Sequence, residues 1–376
     1  MRKTNLLSLI LIMTMLFSLT ACTTAKKVTE VYSPSSIDNI ISKSKEQNNT
    51  TVQTAEDVVL DSDSSFEVHF IDVGQADATL IFSDDETMLI DGGNVDDSSL
   101  IVSYLKKHSV YHLNYIVCTH AHEDHVGGLA AALSVTKVSK VFAPRTESNI
   151  KAYQNFKSKV INQGCTIETP TPGDFLDFGS STVLFLGPVH ENVSDINDTS
   201  ILLKITYGET AFLFTGDAER EEEHSILSQN FDLSATVLKV GHHGSADSTT
   251  YPFLREIMPE YGIISVGENN YGHPTNETLS RLRDAGVKVY RTDLQGDIIV
   301  SSNGKSISIK TERNQNINTN KTLSTRDNQK YIGNIKSKKF HLSSCNSLPY
   351  EKNRIYFETR DEATASGYSS CKNCNP

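Results

Sequence analysis

The chain has 376 residues, of which 38% are hydrophobic and 22% charged, a composition typical of a globular protein with one large catalytic domain and a smaller module. The formal net charge of −11 argues against a protein that tracks nucleic acid along a broad basic surface, because phosphate binding needs clustered Lys and Arg. The charge is uneven, however. Residues 312–376 carry 11 Lys and Arg against 6 Asp and Glu, so an acidic body precedes a basic C-terminal module.

The first residues predict export and a membrane anchor. A basic start precedes an apolar stretch over residues 6–19 that is short for a membrane span and ends in small residues, so residues 1–22 predict a signal peptide. The letters LTAC at its end resemble the lipobox of bacterial lipoproteins, which implies a lipidated Cys22 and a membrane-anchored protein on the extracytoplasmic face. An ordinary signal peptide or an uncleaved anchor is the alternative. Residues 23–65 are rich in small polar residues and Lys and predict a flexible tether.

From residue 66 onward, short β-type runs alternate with helical patterns, and this order predicts a layered α/β domain over residues 66–310. The first half contains the strand candidates FEVHFIDVG, ATLIFS, TMLIDGG and YIVCTH, with a helix over Ser98–His108. The second half repeats the pattern with STVLFLGP, a hairpin around Tyr207–Gly208, an acidic helix over Ala218–Asn230 and the strand TVLKVG. Two similar halves predict a sandwich of two sheets.

The last elements of the domain are the strand GIISVG, a helix near Glu277–Ala285 and two alternating strands around Asn303–Gly304. The Asn-Gly dipeptide predicts a type I′ hairpin turn. Residues 311–330 are almost entirely polar and predict a linker. A small C-terminal module then fills residues 331–376.

His120, His122, Asp124 and His125 form an H-x-H-x-D-H array directly after an apolar strand. Such a position lies at the carboxyl end of a strand, where open α/β folds place ligands. In an extended segment His120 and His122 point to the same side and could hold one metal ion, while the turn into the following helix carries Asp124 and His125 toward a second. The alternative, a solvated polar turn, fits so dense a set of ligand residues poorly.

The array resembles the signature of the metallo-β-lactamase superfamily, and the resemblance implies a four-layer αββα sandwich. Two further motifs match in order. LFTGD places Asp217 where the superfamily has its metal-bridging carboxylate, and KVGHHGS places His242 and His243 where it has its last histidine ligand. The spacing leaves open which of these two histidines binds.

A finer resemblance is to the hydrolase domain of the ComEC-type DNA-internalisation competence proteins. It covers residues 65–310 through the ordered motifs FIDVGQADATLI, THAHEDHVGGL, NDTSILL, FTGDAE, LKVGHHGS, GHPT and YRTDLQGDIIV. Where the wider superfamily has another histidine, SDINDTS offers Asp195, Asn197 or Asp198, and the sequence leaves the choice open. Fewer nitrogen ligands shift this position from zinc toward manganese or magnesium. The resemblance implies two divalent ions, zinc or manganese.

The resemblance also assigns chemistry to the residues. Asp217 would bridge the two ions, and a water activated by the metals would attack the substrate. Asp124 and His273 are the catalytic candidates, with His273 as the imidazole that protonates or binds the leaving group. The alternative for His273 is a helix-start residue before Pro274.

Two aspartates near strand ends are expected to support the site rather than to bind metal. Asp72 in FIDVG and Asp91 in LIDGG are placed to accept hydrogen bonds from ligand histidines, as carboxylates around metal sites do. For Asp91, a turn carboxylate before two glycines is an equally good interpretation.

His341, Cys345, Cys371 and Cys374 provide four metal-binding side chains in a segment with too few apolar residues for a core of its own. They predict one structural zinc ion, and YIGNIKSKKFHLSSC with GYSSCKNCNP resembles the Ada-type metal-binding module, with a histidine among the expected cysteines. A disulfide from Cys345 to Cys371 or Cys374 is the alternative. The module's lysines and arginines could form a nucleic-acid patch, a solvated basic face or a cell-wall attachment surface.

Taken together, the sequence predicts an exported metal-dependent hydrolase, with a phosphodiesterase or nuclease acting on DNA as the leading hypothesis. A hydrolase of small amides, lactones or esters is the alternative enzyme, since the same metal-activated water serves both reactions. A non-catalytic DNA-binding surface lipoprotein is the alternative from another class. No protein partner can be inferred.

Overall fold

The computed structural model describes residues 65–146, 148–190, 195–317, 319, 331–342, 345, 347–357 and 360–374. The predicted signal peptide with Cys22, all but the last residue of the predicted tether, and most of the predicted linker lie outside these residues. No helix within the described ranges is long and apolar enough to span a bilayer.

The body of the first domain consists of β-strands. In the described chain up to residue 311 these are β1 (Phe66–Phe70), β2 (Thr79–Ser83), β3 (Glu86–Ile90), β4 (His112–Val117), β5 (Lys137–Phe142), β6 (Ile167–Glu168), β7 (Phe175–Phe178), β8 (Ser181–Phe185), β9 (Leu203–Tyr207), β10 (Thr210–Phe214), β11 (Val237–Lys239), β12 (Tyr261–Ile264), β13 (Lys288–Arg291), β14 (Ile298–Ser302) and β15 (Ile307–Thr311). They form an eight-stranded sheet in the order β15-β14-β1-β2-β3-β4-β5-β6 and a seven-stranded sheet in the order β13-β12-β11-β10-β9-β8-β7, counted over the described residues.

The two sheets pack face to face. In β1, Phe66, Val68 and Phe70 point into a core that also contains Phe212 and Phe214 of the opposite sheet. Side chains on successive residues of a strand point to opposite faces, so the two residues between these three face the other way. The expected sandwich of two sheets, with its central apolar core, is confirmed.

Helices cover both outer faces. Within the described chain they are α1 (Ser98–Lys107), α2 (Glu123–Val126), α3 (Leu129–Val135), α4 (Lys151–Asn162), α5 (Arg220–Leu227), α6 (Tyr251–Ile257), α7 (Asn276–Asp284) and α8 (Thr292–Gln295). Apolar side chains of α1, α3 and α4 share one core with the first sheet, and those of α5, α6 and α7 share another with the second. In α4, Ala152, Tyr153, Phe156 and Val160 recur at helical spacing on the buried face. The layers are therefore αββα, as predicted.

The end of the domain differs from the prediction in two places. Asn303 donates its backbone N–H to Ser306, so Gly304 and Lys305 form the centre of the β14–β15 turn, and the positive φ of 81° falls on Gly304. The expected type I′ turn centred on Asn303–Gly304 is wrong, because that turn needs positive φ at both central residues.

The predicted linker also begins too early. Arg313 binds Asp72 with 3.0 Å between guanidinium and carboxylate, and the side-chain amide of Asn314 donates to the carbonyl of Leu294 at 2.7 Å. The hydroxyl of Thr319 donates to a buried backbone carbonyl of β13. The first residues of the 311–330 segment therefore pack on the domain, because polar side chains satisfy backbone groups as well as water does.

The C-terminal module has its own small sheet. Its described elements are β16 (Tyr331–Asn334), β17 (Lys339–His341), β18 (Arg354–Phe357), the helix α9 (Arg360–Ala365) and β19 (Ser369–Ser370). The strand order is β18-β16-β17-β19. Phe340, Phe357, Ala363 and Tyr368 form its buried apolar cluster, a core far smaller than those of the first domain.

Candidate metal centre

Parallel strands bring the predicted ligands to one edge of the sandwich. In the first sheet β4 runs parallel to β3, and in the second sheet β10, β11 and β12 run parallel to one another. The loops after β4, β10 and β11 carry residues 120–125, Asp217 and residues 242–243, respectively. The carboxyl ends of parallel strands meet at the same edge, which explains why side chains so distant in sequence converge.

Asp91, at the end of β3, fixes the loop that carries the histidine array. It adopts a left-handed backbone conformation with a φ of 58°. Its carboxylate accepts hydrogen bonds from the backbone N–H and the hydroxyl of Thr119, at 2.8 and 2.7 Å, and lies 2.8 Å from Nδ1 of His125. The expected contact between Asp91 and a ligand histidine is thus present, and it leaves Nε2 of that histidine free to face the site.

The histidine array points into a buried cluster. Nε2 of His125 lies 3.2 Å from Oδ2 of Asp217, and both side chains are almost fully buried. Nε2 of His120 lies 3.0 Å from Nδ1 of His122. His122 is only partly buried, because it stands at the start of α2 and faces the open side.

Asp217 stands at the centre of the cluster. Its backbone N–H donates to the hydroxyl of Ser200 at 3.1 Å, which holds the turn after β10. Its Oδ2 lies 3.6 Å from Nε2 of His243 and 3.7 Å from Nε2 of His242, in addition to the contact with His125. One carboxylate therefore meets imidazoles from two loops.

Both ring nitrogens of His243 have polar neighbours in the site. Its Nδ1 donates to the carbonyl of Ser265 at 2.9 Å and lies 3.3 Å from Oδ1 of Asp77. Its Nε2 faces Asp124 at 3.4 Å and Asp217 at 3.6 Å. With Nδ1 as the donor, Nε2 is the nitrogen available to a metal ion.

His242 is placed differently. Its Nδ1 lies 3.0 Å from Oε1 of Glu219, its side chain is 22% exposed, and its ring packs edge-on against that of His273 with 5.4 Å between centroids. Both His242 and His243 have left-handed backbone, with φ of 47° and 52°, an uncommon conformation for residues with a Cβ. The structure therefore favours His243 as the direct ligand, with His242 on the cavity wall.

The SDINDTS segment occupies the place where the wider superfamily has another histidine, and among its described residues Asn197 lines the cavity. The Oδ1 of Asn197 is buried without a hydrogen-bond partner, while its Nδ2 donates to Glu219 at 3.0 Å. Asp198 turns elsewhere and accepts the backbone N–H of Glu219 at 2.9 Å. Asp195 accepts the backbone N–H of Asn197 at 3.0 Å. Of the three candidates, the geometry favours Asn197.

The donor set fits divalent metal ions. His120, His125 and Asp217 form one group and Asp124, His125 and His243 another, each with ligand atoms within 4.8 Å of one another. Nε2 of His125, Nε2 of His243 and Oδ1 of Asp217 are buried without hydrogen-bond partners. Since buried polar atoms are nearly always paired, these unpaired nitrogen and oxygen atoms are best explained as metal ligands. His125 belongs to both groups and His122 to neither, but Nδ1 of His122 lies 3.0 Å from Nε2 of His120, so these two histidines are also close enough to share an ion, as expected.

The protonation of the site supports the same conclusion. Burial, with the nearby His125, lowers the pKa of His120 well below its usual range. Burial also disfavours charge on His125 and His243, but the carboxylate of Asp217 and its neighbours outweigh it, raising the pKa of His125 strongly and that of His243 to about 10. The carboxylates thus hold protons on these imidazoles, and a divalent cation would take the place of that charge.

His273 lies in the same cavity, outside both ligand groups. The cavity has a volume of about 310 Å³, and Gln75, Glu123 and Tyr271 complete its lining. Burial and the neighbouring His242 lower the pKa of His273 to about 4, and its Nδ1 is buried without a hydrogen-bond partner. A neutral imidazole in this position can donate a hydrogen bond to a bound oxygen.

The aspartate of FIDVGQADA that contacts a ligand histidine is Asp77, and the prediction of Asp72 is wrong. The carboxylate of Asp72 pairs with Arg313, and among the described residues no histidine lies against it. Asp77, five residues later, contacts His243, and Lys239 binds its other carboxylate oxygen at 2.7 Å. The motif indicates that an aspartate of this segment supports the site, since both aspartates belong to it. Only the fold shows which of the two faces the site.

The C-terminal ligands also come together. Donor atoms of His341, Cys345, Cys371 and Cys374 all lie within 4.8 Å of one another, with 3.4 Å between Nδ1 of His341 and Sγ of Cys345. The three cysteines are free thiols. One imidazole and three thiols this close together suit a structural zinc ion, which binds four such ligands.

Two family models match the chain. The metallo-beta-lactamase superfamily matches residues 71–268, and the metal binding domain of Ada matches residues 315–376. The chain therefore belongs to the metallo-β-lactamase superfamily, as a hydrolase of that superfamily joined to an Ada-type zinc-binding domain.

Its relatives include competence proteins. The chain is 30% identical to ComE operon protein 3 of Bacillus subtilis over 62% of its own length and 33% of that protein, and 32% identical to competence protein ComA of Neisseria gonorrhoeae over 60% and 30%. It spans about a third of these curated relatives. Among solved structures, the metallo-beta-lactamase fold protein YhfI from Bacillus subtilis is 13% identical, covering 63% of this chain and 100% of that one, with a TM-score of 0.45.

Proposed function

We propose that this chain is a metal-dependent phosphodiesterase that acts on DNA outside the cytoplasm. The observation that carries the proposal is the convergence of the two ligand groups on His125, in a chain that is 30% identical over 254 residues to ComE operon protein 3. Competence is the property named for the relatives, and DNA is the substrate that we infer from it.

The residues of the site divide the work. His120, His125, Asp217, Asp124 and His243 would hold divalent ions, which when bound would supply Lewis-acid activation of water and of a phosphoryl oxygen. The protein contributes their orientation. Asp91 lies against Nδ1 of His125, and the carbonyl of Ser265 accepts a hydrogen bond from Nδ1 of His243. Nδ1 of His120 faces the hydroxyls of Thr119 and Ser200 instead, and in each ring the other nitrogen stays on the cavity side.

Two further side chains suit a nucleic-acid substrate. His273 faces the cavity beside the ligand groups and can donate a hydrogen bond to the leaving oxygen. Tyr271, on the rim, is 77% exposed, and its ring lies 5.7 Å from that of His273. An exposed aromatic ring next to the reacting phosphate offers a surface on which a base can stack.

The proposal extends to location. We infer from the lipobox-like LTAC that Cys22 is lipidated and anchors the chain on the extracytoplasmic face of the membrane. The basic C-terminal module would then hold DNA near the acidic hydrolase domain. Expression of the full chain beside Cys22→Ala tests this: the parent should partition with membranes and the variant should not, whereas equal partitioning would reject the lipid anchor.

The activity test uses the chain from residue 23 onward, loaded with Mn²⁺ or Zn²⁺. Single- and double-stranded DNA, bis-p-nitrophenyl phosphate and nitrocefin are offered separately. We expect hydrolysis of DNA and the small diester, and a loss of at least about 100-fold in Asp217→Asn because the shared carboxylate is neutralised.

Asp85→Asn is the matched control, since Asp85 is exposed in the turn between β2 and β3 and should leave the rate unchanged. Cleavage of nitrocefin without any cleavage of phosphodiesters would replace the proposal with the small-amide alternative. Tight DNA binding without cleavage of any substrate would favour the non-catalytic alternative.

A further inference from the structure

A buried ion pair lies beside the metal centre. Nζ of Lys239 is 2.7 Å from Oδ2 of Asp77, and the two side chains are only 3% and 6% exposed. The other buried lysine of the same sheet, Lys204, pairs with Asp232, which is 77% exposed. Burying two charges costs free energy that their attraction only partly returns, so a pair this deep calls for an explanation other than stability.

The pair touches the centre through His243. Oδ1 of Asp77, the oxygen that Lys239 leaves free, lies 3.3 Å from Nδ1 of His243 and has no hydrogen-bond partner. The same Nδ1 donates to the carbonyl of Ser265 at 2.9 Å. A carbonyl and a carboxylate on one side of the ring leave Nε2 on the other side, facing Asp124 and Asp217.

The backbone of Asp77 joins the same loops. Its N–H donates to the carbonyl of Asp124 at 3.0 Å, and its carbonyl accepts the N–H of Gly93 at 2.8 Å. Lys239 ends β11 only four residues before His243, and its Nζ also donates to the carbonyl of Val240 at 3.2 Å. The pair therefore connects the loop after β1 with the loops that carry the ligands.

We propose that Asp77, held in place by Lys239, is a positioning residue for His243. The carboxylate beside Nδ1 fixes the ring orientation and makes Nε2 a stronger ligand, as carboxylates behind metal-binding histidines do. Lys239 has a second effect. Donor atoms of Asp77, Asp91 and His125 lie within 4.8 Å of one another, and the ammonium group satisfies the carboxylate of Asp77 that would otherwise attract a metal ion to this position.

The test measures Mn²⁺ binding to the full chain by electron paramagnetic resonance. Mn²⁺ prefers nitrogen and oxygen ligands, so it reports on this centre rather than on the cysteine cluster. Asp77→Asn should weaken Mn²⁺ binding about 10- to 100-fold. Asp72→Asn is the matched control, because it breaks an ion pair in the same segment with Arg313, and should change binding less than about twofold.

The double variant Asp77→Asn/Lys239→Met removes both charges and avoids an unpaired buried ammonium group. Since Lys239 acts through Asp77, the double variant should bind Mn²⁺ as weakly as Asp77→Asn and no more weakly. Its control is Lys204→Met/Asp232→Asn, which neutralises the other lysine pair of the sheet and should bind as the parent does.

Parental Mn²⁺ binding in Asp77→Asn and in the double variant would overturn the proposal, even if thermal stability fell. A further loss from Lys239→Met in the Asp77→Asn background would also overturn it, because the lysine would then act independently. Loss of the fold in both variants, or no Mn²⁺ binding by the parent, would do the same. Because binding is measured rather than hydrolysis, a parent that binds Mn²⁺ but cleaves no phosphodiester rejects only the proposed function.

Discussion

The two candidate metal centres differ in what surrounds them. The metal centre of the hydrolase domain lies at the edge of two large sheets, in a domain whose cores contain dozens of apolar side chains. The C-terminal cluster stands beside a core of four buried apolar residues, with Tyr331 packed against it. The large apolar cores can stabilise the hydrolase domain without a metal ion. The C-terminal module has so small a core that metal binding by its four ligands should supply much of its stability.

Their ligands differ in the same sense. In the hydrolase centre Asp91 supports His125, and Asp77 with Ser265 supports His243, so the imidazoles are oriented before any ion arrives. In the C-terminal cluster the thiols chiefly contact one another and nearby backbone groups. A preorganised site suits catalysis, and a site of mutual contacts suits a structural ion.

The largest expected effect separates the two centres by folding. Metal removal, or Cys371→Ser, should unfold the C-terminal module while the hydrolase domain keeps its cooperative transition, because structural zinc contributes about 10 kcal/mol or more in small zinc modules. Calorimetry of the full chain measures both transitions. Cys165→Ser, at a half-buried thiol in the hydrolase domain, is the control. Simultaneous loss of both transitions would contradict the comparison.

The next effect concerns preorganisation. Asp91→Asn keeps the shape of the side chain but removes the charge that faces His125 and receives two hydrogen bonds from Thr119. Metal affinity and kcat/KM should fall about 10- to 100-fold with the fold retained. Metal titration and diester hydrolysis, beside Asp72→Asn, measure the change. Unchanged affinity would mean that the hydrolase centre, like the cysteine cluster, does not depend on supporting groups.

The same contrast explains what the sequence could predict. The array from His120 to His125 spans only six residues and directly follows a strand, so its position at a strand end can be predicted without knowing any distant contact. The four C-terminal ligands were also predictable, because few other residues in that segment can stabilise it. Local pattern is sufficient where the ligands lie close in the chain or where alternatives are scarce.

The remaining details depend on contacts across the chain. Asp72 and Asp77 stand in one motif, and it is Asp77 rather than the predicted Asp72 that faces the site. The difference reflects their partners, Arg313 for Asp72 and Lys239 for Asp77, each more than 150 residues away. The choice of His243 over His242 depends on two left-handed residues in succession, which spacing does not encode. The early start of the predicted linker has the same origin, since polarity alone does not show which segments find backbone partners.

A smaller effect should appear with pH in the metal-free chain. Burial alone would lower the pKa of His243, but Asp217 and Asp77 raise it to about 10, against an ordinary value of 6.5. The stabilisation from this imidazolium is therefore complete below pH 6.5 and is lost as the pH rises toward 10, on the order of a few kcal/mol.

Denaturant unfolding of the hydrolase domain in the presence of EDTA, at several pH values in that window, checks this expectation. The variant His243→Gln should lose less stability than the parent over the same range. An equal loss in both would show that the carboxylates do not hold a proton on His243, and would weaken the contrast between a charge-compensated centre and a thiol cluster.

The smallest expected effect tests whether the two regions cooperate on DNA. Lys336 and Lys352 are exposed on the basic module. Replacing both with Ala should raise the apparent KM for DNA by a factor of about 2 to 10. The slope of log KM against log salt concentration should become shallower by about two, because each lysine that contacts a phosphate displaces about one counterion from the DNA. The KM for bis-p-nitrophenyl phosphate should stay the same, since a small diester reaches only the hydrolase centre.

The control is Lys305→Ala, which removes an exposed lysine in the β14–β15 turn. Parallel changes for both substrates would place the lysines' effect at the catalytic cavity, and unchanged KM for DNA would leave the module without a part in holding substrate.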